Sequence, residues 1–441
     1  MRIPTSVLIA ILSICLGCNK PATVDTVNWS KPEEVSQSKD SIGSSFSLYK
    51  WNKSLLAMNS DAGPLSVYFL QADEKQWREK TGIPADWLPL DVDPLGNRFA
   101  AGKGSLHKDN LTVRFVVGMV NASGELVATT QNTWKTDKTT FFGKTRANIS
   151  FEAWNSGPVP QPFWGGAFSD LEIFIPYCIT GATLVNGAVL GAAGPFDNGV
   201  FFSRDSGKTW QREHIDSINS VNPYVSKTKR FYYFTAGRTY ENELWYSRKS
   251  VDGGTWSSPA IVTKHFATWN SAVADGETVH VCWLDRRHEK TRLNAFNPWR
   301  KNYEVAYSHR KDFDSEWSKD VILSKGLLYA YEPVMSAEGD NVVVAWSGVQ
   351  HDKDGHGRTW PNDIYFVTSK DGGDTWAKPM KVTDGFKDGL TAGKAQVALL
   401  NGVIHLFYIQ GKINYKETSA GMALLNQPPW PIYYTQRPFP K

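Results

Sequence analysis

The sequence is poor in cysteine, in methionine and in charge of one sign. Four cysteines and six methionines are spread over 441 residues. No Cys-x-x-Cys pair occurs, so a thiolate zinc module is unsupported. H-E-x-x-H and G-x-S-x-G are both absent, which sets aside a zinc protease and an α/β-hydrolase. Two Gly-Lys-Thr triplets, at Gly143 and Gly207, lack the glycine that a phosphate loop needs five residues earlier; Lys138 and Phe202 stand there. The 48 basic and 44 acidic residues leave a net charge of +4, too balanced to argue for nucleic acid. The apolar run from Thr5 to Gly17 is too short to cross a bilayer as a helix.

Aromatic and turn-forming residues are abundant. The chain holds 18 Trp, 17 Tyr and 22 Phe, with 36 Gly and 23 Pro. With a mean hydropathy of −0.37, this composition excludes a helical bundle, a coiled coil, a disordered chain and a polytopic membrane protein. The length fits roughly three domains of about 150 residues, or one domain built from β repeats.

Arg2, the apolar run and a small residue before Cys18 read as an export signal over residues 1–17. Leu16-Gly17-Cys18 resembles a bacterial lipoprotein box, with Cys15 where that family prefers Leu. The resemblance implies lipidation of Cys18 and a place in the cell envelope, held to the membrane through this lipid only. A plain cleaved signal and an uncleaved anchor are the alternatives. Residues 18–45 are polar with few large apolar side chains, and a flexible tether is expected there. Cys178 and Cys282 then remain, each in an apolar strand-like run, either as a disulfide or as two buried thiols.

A repeat runs through the body. Ser203-Arg-Asp-Ser-Gly-Lys-Thr-Trp210 and Ser369-Lys-Asp-Gly-Gly-Asp-Thr-Trp376 share S-x-D-x-G-x-T-W. Ser250 to Trp256 is one residue shorter, and Ser308 to Trp317 is a degraded copy. The closing tryptophans recur every 46 to 61 residues or so, a period that suits propeller blades. Each copy follows an apolar strand-like run. An aspartate that bonds backbone N–H groups and a glycine with positive φ suit a hairpin tip, so Asp205, Asp252 and Asp371 are structural. Two further hairpins are legible, one across Asn121-Ala-Ser-Gly and one across Asn401-Gly402. Ile432-Tyr-Tyr-Thr is expected to be a last strand that closes the ring.

This pattern resembles the Asp-box, or bacterial neuraminidase repeat, of the sialidase superfamily. The resemblance covers roughly residues 170–380. It implies an all-β fold, a β-propeller of six or seven four-stranded blades with Asp-box hairpins, occupying 46–441. It also implies that the boxes lie on the face away from the active site. An acidic glycan or polysaccharide is the expected partner, acted on by a monomer that needs no cofactor or metal. A glycoside hydrolase is the leading reading. A polysaccharide lyase on uronate-containing glycans and a non-catalytic glycan- or protein-binding propeller are the alternatives.

Ligands of propellers meet the central funnel, and three loops there mix arginine, carboxylate, histidine and aromatic residues. They run over 237–243, 285–301 and 350–360. Arginine suits a carboxylate bidentately. The substrate-binding candidates are Arg238, Arg286, Arg287, Arg358, His351 and Trp360. The family uses a Tyr–Glu pair as nucleophile and an Asp in acid/base chemistry; the candidates for these roles are Tyr331, Glu332 and Asp285. The family's first arginine lies in an R-I-P motif, where Phe174-Ile-Pro176 stands here. Asp285 also has a bracing reading, within Trp283-Leu-Asp-Arg-Arg. Asp352-Lys-Asp-Gly-His-Gly is read as a polar loop and not as a calcium site.

Overall fold

In the computed structural model of the chain, the described residues are 29–38, 46–51, 54–59, 66–70, 77–81, 88–92, 98–107, 110–121, 125–137, 149–150, 167–168, 173–180, 182–185, 188–189, 196–215, 220–238, 243–265, 267–288, 303–327, 329–349, 362–385, 390–412, 415–418, 421–424 and 430–440. Every named element among them is a strand. Seven four-stranded antiparallel sheets follow one another along the chain. The first holds Phe46–Trp51, Ser54–Asn59, Ser66–Leu70 and Arg78–Thr81. The second holds Leu88–Val92, Arg98–His107, Asn110–Val120 and Leu126–Asp137. The third holds Ala167–Phe168, Ile173–Thr180, Phe196–Ser203 and Gln211–His214. The fourth holds Ser220–Lys227, Phe231–Arg238, Leu244–Ser250 and Ala260–Thr263. The fifth holds Ala267–Asp275, Thr278–Asp285, Glu304–Lys311 and Val321–Ile322. The sixth holds Tyr329–Glu338, Asn341–Val349, Asp363–Ser369 and Met380–Lys381. Two small sheets, of three and two strands, lie outside this series.

The seventh sheet corrects the tether expectation. Its order is Thr391–Leu400, Val403–Gly411, Trp430–Pro438 and then Glu33–Ser38, from the other end of the chain. Residues 33–38, expected within the tether, therefore form an outer strand, and Trp430–Pro438 is flanked on both sides. An edge strand needs little apolar surface, because the hydrogen-bond ladder does most of the holding. Val35 packs on the core of this sheet, and Trp29 sets its ring edge-on to Phe366 at 5.1 Å.

First strands of neighbouring sheets lie side by side: Ser220–Lys227 against Ala267–Asp275, then Tyr329–Glu338, then Thr391–Leu400, then Phe46–Trp51. Apolar clusters fill the gaps between sheets. Trp283 and Trp346, the largest fully buried side chains, sit on the second strands of the fifth and sixth sheets.

The repeated turns clamp these seams. Asp205 Oδ1 accepts from Ser203 Oγ at 2.8 Å and from the Thr209 N–H at 2.8 Å, and Gly207 N–H bonds Ser203 Oγ at 2.7 Å. Asp371 repeats this with Ser369 and Thr375 at 2.7 and 2.9 Å. The Thr375 hydroxyl and N–H hold the Asp371 carboxyl down at about 2. Trp210 stacks on Phe115 of the preceding sheet at 4.1 Å, and Trp376 meets Tyr307 edge-on at 4.6 Å. The shorter copy differs: the Trp256 indole N–H donates to Glu213 of the third sheet at 2.8 Å. Both predicted hairpins form, and Asn401 and Gly402 take φ of 52° and 69°, the two left-handed residues of a tight hairpin turn. Cys282 is a buried free thiol.

Two buried imidazoles are tied to tyrosines, His280 Nδ1 with Tyr307 Oη at 2.6 Å and His405 Nδ1 with Tyr434 Oη at 2.8 Å. Burial, and then the charge of His309, lowers the first to about 3; burial lowers the second to about 4. In the unfolded chain both titrate near 6.5. The unfolded state therefore binds more protons below about pH 6.5, and stability falls with pH there until the folded imidazoles also protonate. The wild-type melting midpoint is expected to drop by several degrees between pH 7 and pH 5. A His280→Gln/His405→Gln double variant should drop less; equal drops in both proteins would contradict this assignment.

Candidate functional site

The repeated turns and the first hairpin of each sheet share one end, as the bond from Gly372 N–H to Asp340 O shows for the sixth sheet. First strands begin at the other end. Near that start, four consecutive first strands break register, so that two residues face one: after Val221, Thr268, Tyr331 and Gly393. Such bulges re-aim a side chain. In three of them the first extra residue is left-handed and not glycine: Trp269 (φ 49°), Glu332 (φ 51°) and Lys394 (φ 54°). Each such position costs about 1–2 kcal/mol for an L-residue. Three at equivalent places in neighbouring strands mark a built feature.

Their side chains meet. Lys394 Nζ forms an ion pair with Glu332 Oε1 and sits 5.8 Å from the centroid of the Trp269 ring. Trp269 keeps 45% of its surface exposed. Beside Glu332, the Tyr331 ring lies 5.9 Å from Tyr303 and 4.9 Å from Tyr329. Arg286 approaches the Tyr303 ring at 5.9 Å. The cluster thus joins a carboxylate, an ammonium and a partly exposed indole, with the Tyr331 ring packed on Tyr303 and Tyr329 nearby in the chain. Next to Trp269, Asn270 is buried with neither amide atom bonded to another described residue. Ser347 Oγ, which is similarly unbonded, lies 3.8 Å from where a Cβ on Gly393 would stand.

Of the sequence candidates, Glu332 joins Lys394 here, Tyr331 precedes it in the same strand with its ring against Tyr303 and Tyr329, and Arg286 approaches Tyr303. Asp285 and Arg287 are held by each other. Asp285 is completely buried, and Arg287 Nε and Nη2 bond its two oxygens at 2.9 and 2.6 Å. Trp283 Nε1 adds 3.0 Å, and Asp320 shares the guanidinium. This is the bracing geometry: the carboxylate has no open side for a substrate. Arg238 ends its strand opposite Ser220. The side chains of Arg238, Phe174 and Cys178 fall outside the described set. His351, Arg358, Trp360 and Cys18 lie outside the described residues altogether. Asp205 and Asp371 sit in the turns, as described above, and Asp252 N–H bonds Ser250 Oγ at 3.2 Å in its own turn.

Trp269 and Lys394 escaped the sequence reading. A signal exists: Trp269, Glu332 and Lys394 recur at a spacing of about 62 residues, each shortly after a box tryptophan. Among the described residues no group of histidine, cysteine and acidic side chains fits a metal ion.

No family model matches the chain, and no curated protein matches its sequence. Solved structures give distant likenesses. An alpha-L-arabinofuranosidase from Podospora anserina, crystallised with cellotriose, has a TM-score of 0.32 at 12% identity, over 63% of this chain and 90% of that one. Trypanosoma rangeli sialidase has a TM-score of 0.44 at 14% identity, over 92% of this chain and 59% of the sialidase. A polysaccharide lyase has a TM-score of 0.45 at 9% identity, over 96% of this chain and 94% of the lyase.

Proposed function

We propose that this chain is a carbohydrate-active, seven-bladed propeller and a glycoside hydrolase on an acidic glycan. The observation that carries the reading is the Glu332–Lys394 ion pair beside Trp269 at one end of the first strands, with Tyr331 next to Glu332 in the same bulged strand. In this reading Glu332 takes the phenol proton as Tyr331 Oη bonds to the anomeric carbon; the glycosidic C–O bond breaks, the aglycone oxygen leaves with a proton from water, and a second water then hydrolyses the Tyr331–sugar bond. Lys394 pairs with Glu332 and fixes where that carboxylate stands. Asp285 and Arg287 brace the loop that carries Arg286 and take no part in the reaction.

We also propose anchoring through Cys18. Ser30 N–H bonds Gln436 O, and Phe439 N–H bonds Gly402 O, both at the turn end. Ser30, close to the first described residue, therefore lies at the end opposite the cluster, which suits a tether that leaves the cluster unobstructed. A binding propeller is the second reading, favoured by the mutual closure of Asp285 and Arg287, two groups the family resemblance offers to the substrate.

The test is turnover of a fluorogenic sialoside and a fluorogenic uronide by wild type, Tyr331→Phe and Glu332→Gln. Each variant is expected to lose about 10²–10⁴-fold in kcat. An unsaturated uronate product from a polymer would point to a lyase. Oligosaccharide binding without turnover would leave the binding propeller, and wild-type inertness in every assay would sink the carbohydrate reading.

A further inference from the structure

We infer that Trp269 and Lys394 form a stacking subsite for one pyranose ring that carries a carboxylate; this rests on the acidic-glycan reading above. Trp269 is the first observation. Its left-handed backbone is one that glycine would adopt without cost, yet the position holds the largest side chain there is. The indole is then left 45% exposed, while the tryptophans on the second strands of the fifth and sixth sheets are fully buried. Local backbone strain that presents an apolar ring to water is only partly offset by the cation–π contact with Lys394. It is explained by a ligand with an apolar face of matching size, and the C–H face of a pyranose is such a surface.

Lys394 supplies the second, independent observation. Its ammonium has three donors, of which Glu332 takes one. It stands over the indole ring, 5.8 Å from its centroid, so a sugar ring lying against the exposed part of Trp269 has its exocyclic groups within reach of the ammonium. An exocyclic carboxylate gains a charge-assisted bond there, which a neutral hydroxymethyl group does not.

The full chain would be titrated with methyl α-N-acetylneuraminide, methyl β-glucuronide and, as a neutral control, methyl β-glucoside, with Kd read by saturation-transfer NMR. Wild type should bind at least one acidic glycoside more tightly than the glucoside. Trp269→Ala should weaken acidic and neutral glycosides alike by about tenfold, and Trp269→Phe should recover most of the loss. Lys394→Met should abolish the preference for acid and leave glucoside binding within about twofold. Trp269→Asn, which tolerates the left-handed backbone, should lose binding without a lower melting midpoint.

Unaltered binding by Trp269→Ala would overturn the subsite and leave the acidic-glycan reading standing. Equal loss of binding and of melting midpoint in both Trp269→Ala and Trp269→Asn would make Trp269 a packing residue and overturn it too. Wild type that binds none of the three glycosides would overturn the subsite together with the reading on which it rests.

Discussion

Replacing Arg287 with alanine is expected to cost about 3–5 kcal/mol of stability, the penalty for stranding a buried charge. Asp285 has no exposed surface, and Arg287 supplies three of its bonds: the backbone N–H at 2.8 Å, Nε at 2.9 Å and Nη2 at 2.6 Å. Truncation keeps the backbone bond and the Trp283 indole bond but removes all the positive charge. Asp320, also held by this guanidinium, loses that ion pair at the same time and keeps its hydrogen bond with Thr263. The two carboxylates hold the Arg287 guanidinium protonated well above the arginine range, although burial opposes this. Arg287→Lys should fall between, because an ammonium cannot span both oxygens with a planar fork. Thermal or urea melts of the three proteins measure this. An Arg287→Ala midpoint equal to wild type would refute the brace, and would return Asp285 to the catalytic candidates.

Gly373→Ala should destabilise the protein by roughly 3 kcal/mol or more, adding the left-handed backbone cost of about 1–2 to an overpacking cost of about 1–3. Gly373 lies in the sixth-sheet turn with φ of 99°, and a Cβ built there would overlap the Tyr307 phenol. That phenol is wedged, since it donates to Gly372 O at 3.2 Å and bonds His280. Gly254, in the fourth-sheet turn, supplies the control. Its φ is also 99°, but nothing lies within 4 Å of its Cβ position. Gly254→Ala should therefore lose only the backbone part, about 1–2 kcal/mol. Equal losses at the two sites would mean that the turn does not wedge against its neighbouring sheet.

The repeat, the strand class and the turn chemistry were legible in residue order. Asp205 and Asp371 bond groups four residues away or nearer, and Asn401-Gly402 needs only its own two φ angles. These interactions are short in sequence, so local pattern suffices. The outer strand at Glu33–Ser38 was not legible. Its composition is that of a solvated segment, and what orders it is a ladder to residues near the other end of the chain.

The candidate site divides in the same way. Tyr331 and Glu332 were visible as a pair because they are adjacent. The sequence by itself determined that sheets would repeat, where their tips would turn and which residues would brace the tips. Only the tertiary structure decided that Trp269 and Lys394 belong with Glu332 and that Asp285 is spent on Arg287. Trp269, Glu332 and Lys394 stand about 62 residues apart. Lys394 reaches the other two only because three first strands lie side by side and each carries a bulge at the same place. Register breaks of that kind depend on how neighbouring sheets pack, and the residue pattern of a single strand does not encode them.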